Sequence, residues 1–281
     1  MMTQQGFEDY IFSVYGHTTG TAKSYITAIH IVDEMFTYQD VFALNGKSIT
    51  CIDDYMLLQQ ISDFVCDQQT LYKKGQDSIF RNISSGQSSY PGKGFCSAAM
   101  KNLIKYAQYE QDIEIANRLV VNERNPRTIS KKLIEHFDLT KEGEDIVSEQ
   151  KRRKGQDYFR RMILVNYGYQ CAITGIDIPQ LLLASHIIPW SDKSHQKDRL
   201  NPCNGICFSA LYDRAFDKGL ITVSPDDFTV RLSSALREYE SKEYFNKHFA
   251  CIEGRKITLP SNYQPDRNFL AFHREKVFMG G

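Results

Sequence analysis

Four polar residues in the C-terminal half have the types and the spacing of a small phosphodiester-cleaving site. His186 follows an apolar run, and Asn204 precedes a second short apolar segment. Asp213 and Asp217 stand four residues apart in a segment of helical composition, so both carboxylates lie on one face of a helix. Converging carboxylate oxygens suit a hard cation, Mg²⁺ or Mn²⁺, better than zinc. The pattern predicts a metal-dependent phosphodiesterase site.

Local signals place these residues on a strand, a loop, a second strand and a helix, in that order. The apolar residues 181–184 predict a buried strand that ends at His186. Residues 205–208 predict the second strand, and the polar residues between the two strands predict a loop. Residues 210–218 predict a helix that ends before Gly219, a residue type favoured just after a helix.

The same stretch resembles the HNH nucleases, the ββα-metal group, and in particular the HNH proteins of restriction type. The resemblance rests on SHIIPW at residues 185–190, NPCNGICF at residues 201–208 and LYDRAFDKGLITV at residues 211–223. It extends over about residues 155–278, because the flanking segments GQDYFR, CAITG and FLAFHRE are also similar to that family. The resemblance implies a C-terminal ββα-metal domain within an α+β protein.

The resemblance also implies a role for each of the four residues. His186 matches the general base, which takes a proton from the attacking water, and an ordinary imidazole pKa near 6.5 permits this at neutral pH. Asn204 matches the asparagine that ties down the loop and helps to orient the base. Asp213 and Asp217 fall where relatives place metal ligands, usually histidines. The cation would act as a Lewis acid on the phosphate and the leaving oxygen.

Two positions depart from the family pattern. Relatives often carry aspartate or histidine just before the base, where this chain has Ser185, and histidine where it has Tyr212. One metal ligand is therefore expected to be missing at Ser185. At Tyr212, either the histidine is dispensable or the metal chemistry is altered. Other readings also stay open: His186 as a core histidine, Asn204 and Gly205 as a turn, and the two aspartates as partners in surface ion pairs.

The formal charge of the chain is zero, but it is unevenly distributed. Residues 149–281 hold 20 Lys or Arg against 15 Asp or Glu, whereas residues 1–148 hold 14 against 19. Phosphate contacts supply most nonspecific affinity for DNA, so the basic residues near the motifs are candidate contacts to the DNA backbone. The candidates are Lys151, Arg152, Arg153, Lys154, Arg160, Arg199 and Arg214. A solvated helix start is the alternative for the run at residues 151–154.

The sequence predicts two domains, a mainly helical one over residues 1–148 and the HNH nuclease domain over residues 149–281. Apolar spacing predicts helices at residues 7–15, 21–36, 52–67 and 96–109, with a capping start at residues 18–21 for the second. Residues 81–94 are expected to form an exposed loop, and residues 125–145 a connector with one short helix at 130–136. The helical domain would help in dimerisation, or read DNA through Lys23, Lys73, Lys74, Arg81 and Lys93.

Composition excludes several other classes of protein. No stretch approaches the roughly 18 apolar residues of a membrane helix, and no export signal is visible, so we expect a cytoplasmic protein. Seven scattered cysteines argue against a disulfide framework and a structural zinc site. They are Cys51, Cys66, Cys96, Cys171, Cys203, Cys207 and Cys251.

Taken together, these features predict a site-specific, Mg²⁺- or Mn²⁺-dependent endonuclease of restriction type. Its partner would be double-stranded DNA, with a homodimer possible and no membrane contact. Two alternatives stay open: a nonspecific HNH nuclease that cuts any DNA, and a noncatalytic DNA-binding protein with an eroded HNH fold. A divalent ion held by Asp213 and Asp217 near His186 would favour an enzyme.

Overall fold

A computed structural model describes residues 2–16, 19–82, 89–139 and 146–280, with the side chains of residues 146–150 excepted. It divides the chain into two compact units, Met1–Ile115 and Ala116–Gly281. This division precedes the boundary expected at residue 148. The second unit begins early because the helix at Pro126–His136 packs on the loop that leads to Asn204, with Ser130 Oγ donating to the Lys197 carbonyl at 2.7 Å.

The first unit is helical, as the sequence predicts, and all four expected helices are confirmed. Its helices are α1 (Gln4–Tyr15), α2 (Gly20–Tyr38), α3 (Tyr55–Lys73), α4 (Ser89–Lys93) and α5 (Phe95–Val120). Thr19 caps α2 by accepting a hydrogen bond from the Ala22 amide, while Thr18 of the predicted cap lies outside the described residues. Of the expected loop at residues 81–94, residues 83–88 also lie outside them, and residues 89–93 form α4.

The second unit contains the predicted strand, loop, strand and helix in the expected order. Its helices and strands are α6 (Pro126–His136), α7 (Ile146–Asn166), β1 (Leu182–His186), β2 (Gly205–Ser209), α8 (Ala210–Asp217), β3 (Ile221–Val223), β4 (Val230–Leu232), α9 (Ser234–Arg237), α10 (Glu243–His248) and α11 (Arg267–Lys276). Residues 140–145 of the expected connector lie outside the described residues.

The antiparallel pair β1–β2 is the centre of this unit. Leu182 pairs with Ser209 at one end and His186 with Gly205 at the other. Both α7 and α8 pack on the pair, and every residue of β2 is buried, which explains its apolar composition. A β-carbon on Gly205 would lie only 2.6 Å from the Ile163 side chain and 2.7 Å from Phe159. Glycine therefore lets α7 approach the sheet closely.

The second hairpin and the last three helices were not predicted from the sequence. Each strand of the hairpin has three residues, with Ile221 paired to Leu232, which is too short for a clear alternation of apolar and polar residues. Across the described residues, no helix combines the length and the apolar character that crossing a membrane requires.

Gly219 provides a test of the contact that fixes the end of α8. It has a φ of +65°, and an added β-carbon would overlap the carbonyl oxygen of Val277. Gly168 has a similar φ of +59° but open space around it. We predict that Gly168→Ala lowers the free energy of unfolding by about 1 kcal/mol, the cost of the left-handed conformation, and that Gly219→Ala lowers it by about 1–3 kcal/mol more. Urea denaturation measures both, and equal losses would contradict the packing argument.

Candidate active site

A cleft of about 320 Å³ lies where β1, the loop after it, α8 and α11 meet. The predicted base and both predicted metal ligands, His186, Asp213 and Asp217, line it together. Ser185, Trp190, Arg214 and Lys218 are also part of its wall. The structure therefore brings the proposed base and both proposed metal ligands to one cleft, although residues 186 and 213 are far apart in the chain.

His186 is held on three sides. Its ring stacks on Phe159 of α7 with a centroid distance of 3.8 Å and meets the edge of Trp190 at 5.4 Å. Its Nε2 lies 3.0 Å from the Arg199 carbonyl, which accepts only, so Nε2 carries the proton of the neutral ring. Among the described residues Nδ1 has no hydrogen-bond partner. Burial lowers the pKa of His186 to about 4, so Nδ1 presents a lone pair at neutral pH.

Asn204 lies behind the cleft, where it is buried and fully hydrogen-bonded. Its Oδ1 accepts from the Ile188 amide at 2.8 Å, and its Nδ2 donates to the Asp198 carbonyl at 3.1 Å. Its carbonyl accepts from the Ile187 amide at 3.0 Å. These bonds fasten the chain directly after His186 to the start of β2. The geometry fits the expected role of Asn204 in holding the loop.

Asp213 and Asp217 have different surroundings within the cleft. Asp213 Oδ1 accepts a 2.6 Å hydrogen bond from Ser185 Oγ. Within the described part of the chain, Asp217 has no hydrogen bond or ion pair through its carboxylate. Partial desolvation and the charge of Asp213 raise the pKa of Asp217, against the lowering effect of Arg214 and Lys218. The Asp217 carboxylate therefore makes no bond, among the described residues, that would compete with a cation in the cleft.

The ligand atoms in this cleft fit a hard divalent cation whose remaining coordination positions are open to water and substrate. Two carboxylates face the cleft, and no group of three or more His, Cys, Asp or Glu that could hold a metal occurs among the described residues. A closed structural zinc site needs four ligands. Mg²⁺ commonly takes one or two carboxylates and completes its shell with water and substrate phosphate. The residues present fit this second arrangement.

A comparison with protein-family models matches residues 171–224 to the family described as HNH endonuclease. The chain carries an HNH endonuclease domain. The match spans β1, β2, α8 and β3 and includes all four residues of the candidate site. A comparison with curated proteins found no match. The family result supports a nuclease, and HNH nucleases generally depend on a divalent metal and bind DNA.

The two departures from the family pattern have distinct places in the HNH domain. The Ser185 hydroxyl donates to Asp213 and so orients that carboxylate. Tyr212 is buried, donates from its hydroxyl to the His248 carbonyl at 2.8 Å, and is not part of the cleft wall. The position where relatives carry histidine therefore belongs to the core here. Sequence reasoning treated Ser185 only as a poor ligand and missed its contact with Asp213.

Several of the proposed DNA contacts make bonds within the protein. Lys151 Nζ pairs with Asp138 at 2.6 Å. Arg160 donates to the Leu182 carbonyl at 2.5 Å, at the start of β1. Arg199 donates from Nε to the Trp190 carbonyl at 2.9 Å, and its guanidinium lies 5.5 Å from the centre of the Trp190 ring. These contacts give Arg160 and Arg199 structural roles that the sequence did not predict.

The remaining basic candidates lie on the surface or at the cleft. Arg152 and Arg153 are exposed, and Lys154 is half-buried. Arg214 lines the cleft beside Asp217, where a phosphate would need positive charge. DNA binding by all seven basic residues stays a prediction.

His273 also lines the cleft and was not singled out from the sequence. Its Nε2 donates to the Phe216 carbonyl at 3.2 Å, and its Nδ1 lies 2.9 Å from the Thr222 hydroxyl. Its ring stacks on Phe216 at 3.7 Å. Because both ring nitrogens are occupied, His273 fixes α11 against α8 and β3 and is not available as a base. Burial lowers its pKa to about 4.

The half-buried His186 and the buried His273 predict a pH dependence of stability. Their pKa values of about 4 in the folded protein lie below the ordinary value of 6.5, so the unfolded chain binds protons more tightly. The contribution of each neutral histidine to the free energy of unfolding is complete above about pH 6.5. It is lost as the pH falls toward 4, at up to about 1.4 kcal/mol per pH unit. We predict that His186→Gln reduces this pH slope of the unfolding free energy between pH 6.5 and 5. Urea denaturation at several pH values measures it, and an unchanged slope would refute the assignment.

Proposed function

We propose that this protein is a divalent-metal-dependent DNA endonuclease of restriction type that cuts at defined sites. The observation that carries the proposal is the single cleft lined by the neutral His186 ring and by the Asp213–Asp217 pair. One group accepts a proton and the other attracts a cation, and these are the two requirements of phosphodiester hydrolysis at an HNH site.

His186 acts as the general base in this proposal. Its Nε2–H keeps the hydrogen bond to the Arg199 carbonyl, which holds the ring while Nδ1 takes a proton from water. The water oxygen then bonds to phosphorus, and the bond from phosphorus to the leaving sugar oxygen breaks. The negative charge of an arriving phosphate raises the pKa of the nearby imidazole. That change makes His186 a stronger base when DNA is bound than in the free protein.

Asp213 and Asp217 would hold Mg²⁺ or Mn²⁺, with Ser185 fixing the orientation of Asp213. When bound, the cation neutralises charge on the scissile phosphate and on the leaving oxygen as a Lewis acid. Arg214 and Lys218, at the same wall of the cleft, contact the phosphate and help to keep it beside His186. Asn204 keeps the backbone after His186 in place and does not touch DNA.

Site specificity requires contacts beyond this cleft, because a cation, a base and two cationic side chains bind phosphate and do not read base edges. The helical first unit is the part of the chain available for such contacts, and this supports a site-specific enzyme over a nonspecific nuclease. A homodimer and a cytoplasmic location stay predictions. The second candidate function is a noncatalytic DNA-binding protein, which the core position of Tyr212 favours, because relatives often carry histidine there.

Replacing the proposed base tests the enzyme directly. We predict that His186→Ala and His186→Gln lower the cleavage rate by at least about 100-fold and leave DNA affinity unchanged. His195→Ala, which removes a half-buried imidazole outside the cleft, should cleave like the wild type. The substrates are methylated and unmethylated plasmid and phage DNA with Mg²⁺, Mn²⁺ or EDTA, and circular dichroism checks folding.

The pattern of products separates the candidate functions. Discrete metal-dependent bands that both His186 variants lose support the site-specific enzyme, and a smear that they lose supports a nonspecific nuclease. DNA binding without cleavage on any substrate supports the noncatalytic protein. Undiminished cleavage by a folded His186→Ala protein would rule out the assigned base.

The metal assignment has a test that does not depend on activity. We predict that Asp217→Asn weakens Mn²⁺ binding at least about tenfold, which corresponds to about 1.4 kcal/mol, because it removes one of two carboxylate ligands. Asp227→Asn, which neutralises an exposed carboxylate outside the cleft, should have no effect. Calorimetric titration with Mn²⁺ measures both affinities. Equal Mn²⁺ affinity in both variants would reject the site. Because Asp217→Asn also removes the repulsion with Asp213, this variant should be slightly more stable than the wild type at pH 7.

A further inference from the structure

The first unit has an acidic net charge, but its charges are separated in space. Residues 1–115 contain 8 Lys or Arg and 13 Asp or Glu. Four of the cations and one acidic residue, Asp77, fall in residues 73–93, and a fifth cation is Lys23 near the start of α2. The five cations are Lys23, Lys73, Lys74, Arg81 and Lys93, and all five are exposed.

Contacts between helices place these cations at one end of the unit, here called the basic end. Lys73 Nζ lies beside Gly94, 3.3 Å from the point where a β-carbon would stand. Gln69 joins the last turns of α3 to the start of α5 through two hydrogen bonds with Ser97, of 2.8 and 3.1 Å. The rings of Tyr25 in α2 and Phe95 in α5 have centroids 6.4 Å apart. The basic end is therefore formed by the start of α2, the end of α3 and the start of α5.

Acidic residues gather at the opposite end of the same helices. Asp33, near the end of α2, accepts from the Ile49 amide at 2.9 Å and from Ser48 Oγ at 2.7 Å. Asp53 accepts from the Met2 amide at 2.7 Å, just before α1, and Asp54 caps the start of α3. Much of this acidic charge satisfies backbone amides and helix ends, so it serves the fold of the unit.

The cations of the basic end have no comparable structural use. Among the described residues, Lys23, Lys73, Lys74 and Lys93 make no ion pair. Arg81 donates from Nε to the Gln76 carbonyl at 2.9 Å, which holds its side chain at the same end. The starts of α2 and α5 add the positive ends of two helix dipoles there. Exposed and unneutralised cations repel one another, so their gathering at one end favours an anionic partner.

We infer that the basic end of the first unit binds the phosphate backbone of DNA. The surface fits a polyanion because it offers several separate point charges, carried by α2, α3 and α4. Lysine and arginine contacts of this kind set the register of a protein on a duplex without reading bases. The choice of DNA as the partner rests on the proposed function, and it gives the helical unit a role in holding the substrate.

The test compares two double variants that remove equal charge. Lys73→Gln with Lys93→Gln neutralises the basic end, and Lys47→Gln with Lys105→Gln removes two exposed lysines elsewhere on the same unit. Fluorescence anisotropy of the full chain with a labelled duplex, in EDTA and from 50 to 200 mM salt, gives the affinity and its salt slope. The slope of log K against log salt is negative, and each lost phosphate contact reduces its magnitude by about 0.9. For the first double variant we expect the magnitude to fall by about 2 and the affinity to fall at least tenfold. For the second we expect no change in either.

The outcomes distinguish this inference from the proposed nuclease activity. If the wild type cleaves DNA while both double variants keep the wild-type salt slope, the inference is overturned and the enzyme stands. If binding depends on the basic end in a protein that never cleaves, the inference holds and the proposed enzyme fails. Unchanged DNA affinity together with loss of wild-type self-association in the first double variant, seen by sedimentation, would overturn it in favour of a second copy as the partner.

Discussion

The buried amide of Asn204 is the interaction on which the geometry of the cleft depends. It bonds to the backbone of Ile188 and Asp198, so the two ends of the loop between β1 and β2 are held together. That loop supplies the Arg199 carbonyl to Nε2 of His186 and the Trp190 ring to its edge. Without the amide, buried polar groups of the loop would lose their partners, and the imidazole would lose its orientation.

The end of β1 keeps the general base and the proposed metal ligands separate but adjacent. Successive side chains of β1 point to opposite faces, so Ser185 bonds to Asp213 on α8 while His186 stacks on Phe159 of α7. The base is thereby half-buried between the rings of Phe159 and Trp190 and stays neutral, and the carboxylates remain at the polar wall of the cleft. Close packing of α7 on Gly205 brings Phe159 into position and joins the aromatic side to the sheet.

Electrostatic organisation differs between the two units. In the second unit several arginines and lysines serve the fold, as Arg160 does at the start of β1 and Lys151 does with Asp138. In the helical unit Asp33, Asp53 and Asp54 serve the fold, whereas the exposed lysines of the basic end make no ion pair among the described residues. The net charge of each unit therefore does not show which charged side chains are available at its surface. The position of each charge relative to backbone amides and carbonyls decides whether it is available to a partner.

The sequence by itself determined the local elements and the residue types of the site. Apolar runs and their spacing fixed β1, β2, α8 and the long helices, because these patterns depend on near neighbours in the chain. Only the tertiary structure decided which nitrogen of His186 is occupied, that Ser185 orients Asp213, that Tyr212 belongs to the core, and that Arg160 and Arg199 bind backbone carbonyls. It also placed the division of the chain at residue 115 and brought Lys73 beside Gly94. These outcomes depend on contacts between residues distant in sequence, which no local pattern encodes.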